Sequence, residues 1–208
     1  MSGQLLARWT KALPAMGLCA LVLAVFCATP ALAQAPPIRP ELIWKAGHLK
    51  PVASTLKVKV GDKAPDFDLP AIDGSRIRLS QYLGKKNVVL TFVPAAWTPV
   101  CSGQWPGYNL VKEIFERSDA ILIGITCDNV PSLHAWVTEM GGVWFPVASD
   151  FWPHGKAAAK LGILRPEGVS ERALFVIDKK GVIRFIDVHD INTRPDLGDL
   201  AKALEKIK

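Results

Sequence analysis

Cys101 stands where a thiol can do chemistry. It closes the stretch NVVLTFVPAAWTPVC, residues 87–101, in which an apolar, β-branched run gives way to two prolines and then to a helical pattern. Val88 to Val93 read as a strand buried on both faces, as in the middle of a parallel sheet. Pro94 brings no N–H and ends it. Pro99 suits the first turn of a helix, where a missing N–H costs nothing. Cys101 is thereby expected near a helix N-terminus, just past the carboxyl end of a central strand. Unpaired backbone N–H groups and the positive end of the helix dipole face a side chain placed there. Both favour a thiolate, so nucleophilic and redox chemistry is expected at this sulfur. The plainer alternative is that a solitary cysteine is a small buried hydrophobe.

No other chemistry is spelled as clearly. His48, His134, His154 and His189 lack metal-ligand spacing. There is no glycine-rich phosphate loop, no GxGxxG and no Ser/His/Asp elbow, so neither metal nor cofactor is expected.

The elements that would position Cys101 follow in chain order. Phe67–Leu69 and Arg76–Leu79 read as two short strands around the turn Asp73-Gly74. Ser80 caps a helical turn that ends at Gly84. After the central strand, one helix is expected from about Cys101 to Glu116, with Tyr108, Val111, Ile114 and Phe115 on one face. Ala120–Thr126 is a second buried strand, and Val130–Met140 a helix with Pro131 in its first turn and Gly141-Gly142 as its stop. Phe145–Ala148 is a brief strand and Lys156–Leu161 a short helix. Ala173–Ile177 and Val182–His189 are strands around a turn at Asp178–Gly181, and a last amphipathic helix runs from Asp196 or Leu197 to Ile207. This order predicts an α/β, thioredoxin-like three-layer sandwich: a central mixed sheet with an N-terminal β-hairpin extension. Its first two long strands should be parallel neighbours and its last two antiparallel.

The ends bound the rest. Residues 1–33 read as a signal peptide: Arg8 and Lys11 with no acid, an apolar run Ala15–Phe26 too short for a comfortable span, and the small-x-small site Ala31-Leu32-Ala33. The mature protein is expected in the bacterial periplasm. Its 175 residues divide into an extended, proline-rich arm (34–57), in which no chemistry is read, and one domain (58–208). Removing Arg8 and Lys11 lowers the formal charge from +6 to +4, and the remaining basic residues are scattered among acids. Nucleic-acid binding has little support, and no second apolar segment could span a membrane.

Pro94, Thr98 and Cys101 spell P-x-x-x-T-x-x-C. On the end of a buried strand this resembles the active-site motif of the peroxiredoxins, the alkyl hydroperoxide reductase and thiol-specific antioxidant family. Three further segments resemble the family: GITCDNVPSLHAW, SDFWPHGKAAAKLGI and RALFVIDKKGVIRF, the last carrying Arg172. The resemblance covers about residues 58–208 and is nearest to the one-cysteine, AhpE-like form. It implies a thiol-dependent peroxidase acting on hydrogen peroxide or organic hydroperoxides. In that scheme Cys101 attacks, an ionised sulfur at the mouth of a pocket. Arg172 offers a permanent charge and forked donors to sulfur and peroxide. Thr98 accepts the peroxide proton and donates to sulfur, besides capping its helix, and Pro94 shields the thiolate. Gln104 is expected to hydrogen-bond within the pocket, and Trp97 and Trp152 to line its entrance.

The sulfenic acid so formed must be resolved. Pro106 occupies the helix position five residues after Cys101, and no cysteine lies near the C-terminus. Cys127 is the candidate resolving cysteine, and the favoured alternative is an external thiol or a thioredoxin-like reductant. The resemblance also implies a homodimer. Ser102-Gly103-Gln104-Trp105 after Cys101 leaves no C-x-x-C, which argues against a disulfide oxidoreductase or copper chaperone. A non-enzymatic redox sensor, holdase or interaction protein of the same fold is the remaining alternative.

Overall fold

The structure, a computed structural model, describes residues 38–207. The expected signal peptide and the first residues of the arm lie outside them.

A five-stranded mixed sheet carries the architecture. Its strands are β3 (Asn87–Phe92), β4 (Ala120–Thr126), β5 (Val147–Ser149), β6 (Arg172–Ile177) and β7 (Ile183–His189), in the order β5-β4-β3-β6-β7. β3 is central. It pairs in parallel with β4 and antiparallel with β6, and β6 pairs antiparallel with β7. A separate hairpin of β1 (Asp68–Pro70) and β2 (Arg76–Arg78) precedes the sheet.

β3 is buried along its whole length because both faces are covered. Val88, Leu90 and Phe92 join the core under the hairpin and α4 (Lys156–Leu161). Val89 and Val93 join the core under α1 (Pro99–Asn109), α2 (Lys112–Arg117), α3 (Val130–Glu139) and α5 (Leu197–Glu205). The result is three layers, the thioredoxin-like sandwich that strand alternation predicts. Gly124 of β4 lets the second core close tightly: a Cβ there would stand 2.8 Å from the Trp105 ring. No described helix is long and apolar enough to cross a membrane.

Three expectations shift. Ser80 lies inside the short 3-10 turn Leu79–Tyr82, whose N-cap is Arg78, rather than capping it. The single helix over 101–116 is two, broken at Leu110-Val111, where Val111 takes φ −121° and ψ 21°. The Tyr108 carbonyl there receives the Trp144 indole N–H at 3.0 Å, and Asn109 donates to the Gly142 carbonyl at 3.1 Å. Tertiary partners take over at the point where the helix would otherwise continue. The brief strand begins at Val147 rather than Phe145, since Pro146 has no N–H for a ladder.

The segment 38–57 is a strap laid on the domain. Arg39 pairs with Glu139 of α3 at 2.7 Å, and the Lys57 N–H donates to the Leu161 carbonyl at 3.0 Å. Gly162, at φ 80°, has no side chain to collide with the backbone of Thr55 and Lys57.

Candidate active site

Cys101 is the third residue of α1, after Pro99 and Val100, with Thr98 at the N-cap. By helix geometry the N–H groups of Val100 and Cys101 have no carbonyl one turn back, and Pro99 has no N–H to satisfy. The Ser102 N–H is the first with such a partner, Thr98, at 2.9 Å. The helix thus presents its positive end around the sulfur.

Arg172 comes from the neighbouring strand. It opens β6, antiparallel to β3, and is 1 % exposed. Its Nη2 donates to Cys101 Sγ at 3.4 Å. Nη1 donates to Gln104 Oε1, one turn along α1, and Nε and Nη2 both donate to the Ile191 carbonyl, at 3.2 and 3.0 Å. Gln104 in turn donates from Nε2 to Thr91 Oγ1 at 3.2 Å and to the Tyr108 hydroxyl at 3.0 Å. Burial pushes the Tyr108 phenol above its ordinary range, so it stays a neutral hydroxyl. The guanidinium is therefore fixed through all three of its nitrogens, and one edge faces the sulfur.

Thr98 differs in part from expectation. Its side chain makes no cap bond; the hydroxyl donates to the Ala95 carbonyl at 2.9 Å. That proton is committed, so donation to sulfur does not occur, while the oxygen's lone pairs remain able to accept. Pro94 is buried directly after Val93, whose carbonyl takes the Ser170 hydroxyl at 3.1 Å. Trp97 sits at φ 62°, half-buried against the core that contains Cys101. Trp152 is 78 % exposed and belongs to a groove between the hairpin and α4, with Asp66, Arg78 and Lys156. That groove's lining does not include Cys101, Gln104 or Arg172.

The sulfur's exposure also departs from the expectation of a pocket mouth. Cys101 is 1 % exposed, packed in the core with Val93, Ala96 and Trp105. Direct access of an oxidant to a sulfur so buried calls for a local opening of the residues that cover it.

Cys127 is a different kind of thiol. It is buried just past the end of β4 and belongs to neither large core cluster, whereas Cys101 lies in the core under α1. Burial, with the carboxylates of Asp150 and Asp128 nearby, pushes its pKa up to about 12.

Asp128 is a site residue that the sequence reading missed. Its carboxylate accepts the Ala96 N–H at 2.8 Å and the Thr126 hydroxyl, tying the 94–98 loop to the end of β4. The only signal was its place in TCDN, which reads equally as a strand end. Among the described residues no cluster of three or more His, Cys, Asp or Glu could hold a metal ion.

A cysteine in the first turn of a helix, after the central strand of a thioredoxin-like sheet, defines a thiol-based redox protein. Comparison with known proteins gives the family. The pattern of the AhpC/TSA family matches residues 60–186. Alkyl hydroperoxide reductase E of Mycobacterium tuberculosis is 36 % identical over 132 residues, covering 63 % of this chain and 86 % of that protein. The chloroplastic 2-Cys peroxiredoxin BAS1 of Hordeum vulgare is 33 % identical over 160 residues, covering 72 % of this chain and 75 % of that protein. The crystal structure of reduced Plasmodium vivax 2-Cys peroxiredoxin superposes with a TM-score of 0.65 at 25 % identity, covering 70 % of this chain and 80 % of that one. The chain belongs to the AhpC/TSA family, the peroxiredoxins.

Proposed function

We propose that Cys101 is the peroxide-reducing nucleophile of this thiol-dependent peroxidase. The observation that carries the assignment is the Arg172 Nη2 group 3.4 Å from Sγ, with the first turn of α1 around the same atom. The thiolate attacks one oxygen of ROOH. An S–O bond forms as the O–O bond breaks, and the electron pair leaves on RO⁻. Sulfur is oxidised to the sulfenic acid and the peroxide is reduced to the alcohol, or to water from hydrogen peroxide. Negative charge moves from sulfur to the leaving oxygen, and Arg172 and the free amides of Val100 and Cys101 stabilise it along that path. The Thr98 oxygen accepts a hydrogen bond from the peroxide O–H, whose proton stays on the oxygen that joins sulfur; RO⁻ takes its proton from water, and Gln104 holds the guanidinium in aim.

Resolution falls to an external thiol. A first thiol condenses with the sulfenic acid and releases water; a second, or the thiol of a thioredoxin-like protein, reduces the mixed disulfide. Cys127 suits the role poorly, since attack needs a thiolate and its pKa lies near 12. The reading further includes export through residues 1–33 to the periplasm, supported by the charge and apolar pattern there, and a homodimer, supported by the resemblance.

Peroxide consumption with a small dithiol as reductant tests the activity. Wild type should consume hydrogen peroxide steadily and Cys101→Ser should not. Equal rates would sink the assignment.

A further inference from the structure

The strap and the turn after β7 both lie outside the stretch that the family pattern matches, 60–186. They meet behind Arg172. The Ile191 carbonyl receives Nε and Nη2 of Arg172, and Nη2 is the nitrogen that also faces Cys101. The next atoms of that turn are held by the strap. The Ile191 N–H donates to the Pro51 carbonyl at 3.1 Å. The Asn192 side chain clasps Leu49 from both sides: Oδ1 accepts the Leu49 N–H at 2.9 Å, and Nδ2 donates to the Leu49 carbonyl at 2.8 Å. Asn192 is itself pinned to Asp190, through its N–H at 2.9 Å and its Nδ2 at 2.7 Å.

The strap is firm enough to act as an anchor. Glu171, fully buried beside Arg172 in sequence, accepts the N–H groups of Ala53 and Ser54 at 2.7 and 2.9 Å. Its other oxygen pairs with Arg165 at 2.7 Å, and Arg165 donates to the Lys50 carbonyl at 3.0 Å. Further back, the Trp44 N–H donates to the Trp97 carbonyl at 2.7 Å, in the loop that leads to Cys101. One continuous segment therefore touches both the loop that leads to Cys101 and the turn whose Ile191 carbonyl orients the arginine.

We propose that Asn192 is a positioning residue for the peroxidase reaction: by clasping Leu49 it locks the turn against the strap and so aims Arg172 at Cys101. The inference rests on the peroxidase reading above. A guanidinium displaced by about 1 Å loses much of its worth to a transition state, and such shifts cost up to about 100-fold in rate. Asn192 touches neither peroxide nor sulfur; the Ile191 carbonyl links its turn directly to Arg172, so on this proposal its effect passes mainly through that residue. A merely structural residue would act regardless of what stands at 172.

A double-mutant cycle separates the two. Peroxide consumption is measured for the full chain, for Asn192→Ala, for Arg172→Met and for the double variant, with Tm recorded for each. Asn192→Ala should slow the reaction about tenfold on its own and less than about twofold in the Arg172→Met background. Asn192→Gln keeps both amide groups on a side chain one methylene longer; it should show the same dependence on Arg172 with a smaller loss, and it serves if the alanine variant does not fold. An equal loss in both backgrounds, or no loss, overturns the inference while the peroxidase reading stands. A wild type that consumes no peroxide overturns both.

Discussion

Arg172 and Cys101 lie 71 residues apart in the chain, and the guanidinium Nη2 of one stands 3.4 Å from the sulfur of the other. β3 and β6 make that meeting inevitable. Arg172 opens β6, and its neighbour Ala173 pairs with Phe92, the last residue of β3. A few residues later the same chain direction delivers Cys101 at the head of α1.

Arg172→Met removes that charge and all three donor nitrogens. Peroxide reduction should fall about 100- to 1,000-fold, the usual cost of losing one donor to a developing charge. Arg172→Lys should recover little, because an ammonium cannot hold Gln104 and the Ile191 carbonyl while facing sulfur. Stopped-flow measurement of the reaction with hydrogen peroxide gives both numbers.

Gln104→Leu keeps the volume and deletes the relay. Arg172 Nη1 then has no acceptor, and the Thr91 and Tyr108 hydroxyls lose their donor. The protein should lose about 1–3 kcal/mol of stability, the cost of buried polar groups left without partners. The peroxide rate should fall alongside. Urea denaturation and the same kinetic assay measure the two effects.

Cys127 should stay silent at neutral pH. In the native protein a mild alkylating agent should label it far more slowly than the unfolded chain, and Cys127→Ser should keep wild-type turnover. The sign of its pH linkage is fixed. A thiol raised from 9.0 to about 12 by folding favours its protonated form in the native state. Its contribution to stability is full below about 9 and is lost as pH rises toward about 12. Cys127→Ser should therefore show a shallower fall in Tm across that alkaline window.

Glu171→Ala should be costly in stability. It leaves the Arg165 guanidinium buried without its closest partner and strips Ala53 and Ser54 of their acceptor. Breaking a buried pair in this way costs about 3–5 kcal/mol. At a few degrees per kcal/mol for a domain of this size, Tm should drop by about 10 °C.

The sheet and the place of Cys101 at the head of α1 were legible because local rules govern them. Val88–Val93 carries an uninterrupted apolar run, Pro94 and Pro99 mark the turn, and eight residues spell the motif around Cys101. Arg172 was legible only through the resemblance, since nothing local separates it from any arginine at a strand start. The strap was not legible. Its backbone is held by side chains more than 100 residues away, Glu171 and Asn192, and no hydrophobic period announces such bonds. Thr98 was misread in one respect for a similar reason: a hydroxyl at an N-cap has two nearby partners, and here the Ala95 carbonyl wins over the cap. The helix break at Leu110-Val111 depends on Trp144, a residue that periodicity within 101–116 cannot see.

The burial of Cys101 turns access into a property of the loop. Asp128 ties that loop down through the Ala96 N–H. Asp128→Ala should loosen it, leave the Ala96 N–H without an acceptor and speed alkylation of Cys101 by a small neutral reagent. Timed labelling followed by mass spectrometry of the Cys101 peptide checks this.

The central claim is that one sulfur takes the oxygen. The reduced protein, given one equivalent of hydrogen peroxide and a sulfenic-acid trap, should carry a single trap adduct on the Cys101 peptide and none on the Cys127 peptide. No adduct at Cys101, an adduct at Cys127 instead, or a Cys101–Cys127 disulfide would contradict the account.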